Sequence, residues 1–214
     1  MNILQIFYLL ILVSTISFGT VRLKSLTFPL KIIYTICLIS LTNEILVHYV
    51  IPEIAWVYFT YHCYNYLAFF LYYTFFVVTL REKYRRSAVV AIGVVLFAMC
   101  FYADRHSYFS SFPSFALATH SVGLVLSSFI FIAYRLNNPS ETSISQDSNF
   151  IVVLLILVYW AVFVSKHALQ SEIIRQGHKL DLIEVLFTTF CMCYYCGLGI
   201  VFYRHKTNES RPAV

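Results

Sequence analysis

Charge is what this chain lacks most. Its 10 Asp and Glu and 15 Lys and Arg amount to 12% of 214 residues, about half the share of a soluble domain, while 60% of the residues are hydrophobic. A soluble fold is excluded. No Lys or Arg precedes the first apolar run, and no small-residue cleavage site follows it before Arg22 and Lys24. That run is therefore predicted to stay as a span rather than leave as a secretory signal. HExxH and HxxxH are both missing, so no helix carries two zinc-binding imidazoles one turn apart.

What is present is a series of long apolar stretches. Seven spans are predicted, over Ile3 to Gly19, Pro29 to Val50, Ile54 to Leu80, Ser87 to Tyr102, Phe112 to Tyr134, Phe150 to Leu169 and Leu182 to Tyr203. Each approaches or exceeds the roughly 20 residues that a hydrocarbon core of about 30 Å requires, and together they leave no room for a soluble domain. The basic residues then fix a direction. With the N-terminus outside, Arg22, Lys24, Lys31, Arg81, Lys83, Arg85, Arg86, Arg135, Arg204, Lys206 and Arg211 fall on the inner side, and only Arg105, Lys166, Arg175 and Lys179 on the other. Eleven against four is a strong positive-inside bias. The expected architecture is an all-α, polytopic seven-transmembrane-helix bundle over residues 1–214, a single domain with its C-terminus in the cytoplasm. Headgroups of the bilayer account for the net charge of +5, so no nucleic-acid partner is expected. One connection, NNPSETSISQDS from Asn137 to Ser148, reads as a flexible linker because Pro139 breaks helix and the rest is polar.

Ionisable groups inside apolar spans are costly, about 2.5–3.5 kcal/mol each at a helix centre on insertion scales, and so mark candidate sites. In span two, Glu44 and His48 are four residues apart and share a face, with Asn43 beside them. Span three enters from the same side with His62 and Asn65. Span six brings Lys166 and His167 to that end, and span seven brings Glu184, with His178 and Asp181 just before it. These residues are expected to form an outward-opening polar chamber, with Glu44 as its deepest carboxylate and Lys166 as counter-ion. The plainer alternative is that Glu44 and His48 only pair with each other. Span three, rich in tyrosine from Tyr64 to Tyr73, adds hydroxyls that need partners and so predicts a polar bundle interior. A metal site is not expected. One that did exist would draw on Glu44, His48, His62 and His120, with open coordination to activate water. Cys193 and Cys196 form a C-x-x-C in mid-span seven; residues three apart on a helix suit a disulfide poorly, so the six cysteines are read as packing residues. No cofactor is expected.

Several seven-helix classes are excluded by absent residues. Span seven has no Lys for a retinal Schiff base, no NPxxY and no His pair of the kind used by ceramidase-like membrane hydrolases. Span three does not end in a DRY-like motif, and no Pro-Gln pair of three-one-three sugar transporters occurs. Along its whole length, through FGTVRLKSL closing span one, TNE in span two, YNYLAFFLYYTFF followed by REKYRR, and a polar break before span six, the chain resembles an uncharacterised group of short seven-helix proteins of Bacteroidota. That resemblance implies a bacterial inner-membrane location and a sensory or signalling role, and it supplies no catalytic residues. The expected function is a small-molecule sensing or binding protein with a cytoplasmic protein partner at its basic inner face. A proton-coupled carrier using Glu44 and a metal-dependent membrane hydrolase are the alternatives, and an enzyme is the less favoured class.

Overall fold

The computed structural model describes residues 3–138, 146–175 and 181–205, except the side chains of 166–175 and 181–183. Among the described residues the chain forms seven α-helices: α1 Ile3–Arg22, α2 Phe28–Ile45, α3 Ile54–Thr79, α4 Lys83–Asp104, α5 Ser114–Asn137, α6 Ser148–Arg175 and α7 Asp181–Arg204. Several extend past the apolar core of their span. Thus α4 begins inside the basic run, because Leu80 and Glu82 are extended and a new helix can start at Lys83. Residues 139–145 of the expected linker lie outside the described residues. On its far side, Asp147 caps α6 by accepting the Asn149 and Phe150 N–H groups, and it also binds the Arg135 guanidinium of α5 at 2.6 Å.

Six of these helices, α1, α2, α4, α5, α6 and α7, are long and apolar enough to cross a bilayer, and the chain is a multi-pass membrane protein. The helix left out of the six is α3. Seven apolar spans were expected, but His62, Asn65 and a run of tyrosines dilute the apolar content of this one. Its 26 residues are still about 39 Å long. Its polar residues are tolerated because of where it lies. Consecutive helices pack against one another, α1 also packs against α7, and α3 touches α5 as well as its neighbours α2 and α4. Its rings also reach α6 and α7: Phe69 lies 4.9 Å from the Trp160 ring, and the Tyr72 and Tyr194 hydroxyls are 2.8 Å apart. Only one stripe, including Trp56, Cys63, Leu67, Phe70 and Val78, faces outward, and it is apolar.

Close approach of α1 and α7 depends on small residues. A Cβ at Gly199 would meet Thr15 Oγ1 at 3.3 Å, and Thr15 donates its hydroxyl across the seam to the Tyr195 carbonyl at 2.8 Å. Most other Ser and Thr hydroxyls turn back onto the carbonyl four residues earlier in their own helix, as at Ser14, Thr35, Ser128 and Thr189, which satisfies them without a partner helix. None of the six cysteines is in a disulfide, and Cys63, Cys193 and Cys196 are exposed. Packing between helices therefore describes Cys37, Cys100 and Cys191 but not the C-x-x-C pair, whose spacing turns both thiols outward.

A candidate ligand chamber

One end of α2 departs from α-helical geometry, and the chamber begins there. Pro52 supplies no N–H and keeps Ile51 extended. The Ile51 N–H bonds instead to the Leu46 carbonyl at 2.9 Å, a five-residue step, and Leu46–Val50 forms a π-helical turn. His48 sits on this wide turn. Its Nε2 lies 3.2 Å from Glu44 Oε2, while Tyr8 of α1 donates its hydroxyl to Glu44 Oε1 at 3.4 Å. The expected pairing of Glu44 with His48 is present, but it is not sealed in a dry core. Glu44 is half-buried and His48 exposed, and both line a cavity of about 750 Å³.

The cavity lies at the end of the bundle opposite the basic run of α3 and α4. Side chains of α1, α2, α3, α5, α6 and α7 surround it. Gln5, His48 and Tyr49 stand at its rim. Tyr61, Tyr64, Tyr159, Phe163, Phe187 and Tyr195 give it aromatic walls, with Phe163 and Phe187 edge to face at 5.0 Å. Asn43, Asn65 and Trp160 also line it, and all three are buried. Among the described residues, neither the oxygen nor the nitrogen of the Asn65 amide has a hydrogen-bond partner, nor has Asn43 Oδ1 or Trp160 Nε1. Buried polar atoms are nearly always paired in folded proteins. Asn65, Asn43 and Trp160 thus carry unpaired polar atoms, closed off from water, in side chains that border the cavity.

Other expected site residues are not brought together. His62 is buried and points away from Glu44: its Nδ1 is 3.3 Å from Asp104 Oδ2, its Nε2 is 3.1 Å from the Ser111 carbonyl, and its ring meets Tyr108 edge to face. Tyr66 also donates a hydrogen bond to Asp104 Oδ2 at 3.2 Å. Asp104, the last residue of α4, is 5% exposed and does not line the cavity, whose one carboxylate among the described residues is Glu44. Glu184 is exposed and does not line the cavity, whereas Thr188, one turn on, does. The Lys166 and His167 side chains and the whole of His178 lie outside the described residues.

His120 is fully buried, stacked 4.6 Å from Phe69 and close to the Phe97 ring, with no hydrogen bond at either ring nitrogen among the described residues. The conditional metal set of Glu44, His48, His62 and His120 is thus divided among three places, and no three His, Cys, Asp or Glu side chains gather as ligands among the described residues. Sequence reasoning overlooked three participants: Tyr8, Trp160 and Asp104. A tryptophan in mid-span was the one available signal, since it stands far from the interfaces where tryptophan usually collects.

Comparison with known proteins finds no matching family model, no similar curated protein and no similar solved structure. Function must be read from the chamber itself. Its volume falls within the range of small-molecule pockets, about 300–1,000 Å³, and its mix of aromatic wall and a few convergent polar groups is the usual make-up of such pockets.

Proposed function

We propose that this chain is a sensing or binding protein of a bacterial inner membrane that takes up a small molecule in the chamber, with the chamber end outside and the basic end in the cytoplasm. In this reading α3 is a seventh crossing, carried through the bilayer by its neighbours. The observation that carries the proposal is the cavity of about 750 Å³ itself, where Glu44, paired with His48, meets aromatic walls from α3, α6 and α7 in the mix of few polar groups and apolar lining that suits a small molecule. Support for signalling comes from α6 and α7. Both line the chamber through Trp160 and Tyr195, and both reach the basic end, where Ser148 and His205 are hydrogen-bonded at 3.1 Å beside the Arg135 and Asp147 ion pair. A ligand that shifts either helix would disturb that junction, where a cytoplasmic protein could read it.

Transport is the less supported reading. Thr35 is exposed, Ser40 is engaged by the Tyr64 hydroxyl, and neither these nor Ser127 lines the chamber. The proposal is tested by screening the purified protein in nanodiscs against small-molecule libraries for thermal stabilisation. A stabilising compound whose effect is lost in Glu44→Gln supports it, and a full screen with no stabilising compound refutes it.

A further inference from the structure

We infer that the chamber's ligand is a protonated amine with an apolar body, its ammonium group held by the Glu44 carboxylate and by the tyrosine rings around it. The inference rests on the binding function proposed above and narrows it to a chemical class. It starts from a charge that solvent can reach. Glu44 is the one carboxylate among the described residues that line the cavity, and no Lys or Arg is among them. Its side chain is 23% exposed, so a molecule in the cavity can touch it. Tyr8 holds one oxygen at 3.4 Å and His48 Nε2 the other at 3.2 Å. A carboxylate offers about four lone-pair sites, so both oxygens keep acceptor capacity. His48 reaches the carboxylate from the rim, where 44% of its side chain is exposed, and water there can replace the contact when an amine takes it.

Rings surround this carboxylate. Tyr61 and Tyr64, one turn apart on α3, are both within coulombic reach of it, and Tyr8 of α1 stands edge to face with Tyr195 at 5.9 Å. All four tyrosines line the cavity, and the Ser40 hydroxyl fixes Tyr64 at 3.0 Å. That set discriminates among ligands. The faces of aromatic rings attract a cation, and a carboxylate attracts it more strongly. An anion would be repelled by both. A neutral molecule would displace water from the carboxylate and offer no charge in return, which is costly in a site walled by rings. An ammonium group donates to the open lone pairs and offsets the charge. For the rest of the ligand, Phe163 of α6 and Phe187 of α7 meet edge to face at 5.0 Å and supply an apolar wall.

The test uses the full chain in phosphatidylcholine nanodiscs, with empty discs as the reference for partition into lipid. Binding is measured by calorimetry at about pH 7.5, where alkyl amines are charged. Phenethylamine and tryptamine are the cationic probes. 2-Phenylethanol and tryptophol are their neutral counterparts, and 3-phenylpropanoate and indole-3-propionate their anionic ones. The amines are expected to bind at least about tenfold more tightly than either other set. Glu44→Gln should weaken the amines by at least about tenfold and leave the alcohols within about twofold, a split that a merely structural role for Glu44 would not produce. Tyr61→Leu should weaken the amines about threefold or more, whereas Tyr61→Phe, which keeps the ring, should not. Should Glu44→Gln fail to fold, the Tyr61 pair and the ranking of the probes by charge decide. Tighter binding of the alcohols or the carboxylates overturns the ligand class and leaves the chamber's binding role standing. Amine binding indifferent to Glu44→Gln overturns it too, and so does amine binding that emerges only in Lys166→Gln, which would show the carboxylate neutralised from within the chain. Binding of no probe overturns the amine class, and the chamber's binding role then stands or falls by the library screen.

Discussion

Replacing Asn65 by Leu should make the unliganded protein more stable. Asn65 is 1% exposed and its amide has no partner among the described residues. Burying an unpaired amide costs about 1–3 kcal/mol by mutational measurements, and replacing it with an apolar side chain of similar shape removes that cost. Leu is somewhat larger, but the cavity that Asn65 lines gives it space. Repacking around the larger side chain offsets part of that relief, so the expected gain is about 1–2 kcal/mol. For a chain of this size that corresponds to a rise in Tm of about 3–6 °C. The assay is thermal unfolding of wild type and variant in the same detergent, followed by circular dichroism. A variant less stable than wild type by 1 kcal/mol or more, with its helix content intact, would show that the Asn65 amide is not an uncompensated burial but helps to hold the fold together.

Other substitutions probe the framework. Asp104→Ala strands the buried His62 and should cost about 3 kcal/mol of unfolding free energy, whereas a loss within 0.5 kcal/mol would mean that the pair is idle. Tyr72→Phe and Tyr194→Phe should each cost about 1 kcal/mol, and their double-mutant cycle should show a positive coupling, since each hydroxyl's partner is the other; simple additivity would contradict the 2.8 Å contact. At the basic end, burial holds the His205 imidazole below its ordinary value of 6.5. Its folded pKa is depressed, so the stability it contributes is full above about pH 6.5 and is lost as pH falls toward the lower folded value. Wild type should therefore weaken over that window more than His205→Gln does, and identical stability profiles from pH 7 to pH 5 would disprove the effect.

Much of the helical framework was legible because membrane solvent imposes coarse rules. Apolar length and flanking charge mark a span whatever its neighbours are, which is why α1, α2, α4, α5, α6 and α7 stand out. The polar character of α3 was also legible, in its tyrosines, His62 and Asn65, but not the burial of those groups, which depends on the helices around it. At the site, the i, i+4 spacing of Glu44 and His48 carried over into a contact, even through a π-helical turn that only Pro52 hinted at. The partner of His62 was hidden. Asp104 stands at a helix end where a carboxylate normally meets water, yet it is 5% exposed, with His62 and Tyr66 of α3 against its carboxylate. Orphaned atoms are the least legible feature of all, since a sequence names an amide without saying which of its bonds are left open.

The central position of α3 has a consequence for how the protein is made. A segment is released sideways into lipid according to its own apolarity, and α3 carries too many tyrosine, histidine and asparagine side chains to be favoured alone. Only residues 51–53 separate it from the π-helical turn that ends α2. The two should therefore leave the insertion machinery as one hairpin, with Tyr64 meeting Ser40 across it at 3.0 Å. The remaining polar groups of α3 find cover only as α4 through α7 are synthesised. Chains arrested just after α3 should accordingly be held at the translocon or degraded, so the helix that supplies the chamber's amide is also the step at which biogenesis waits for the rest of the bundle.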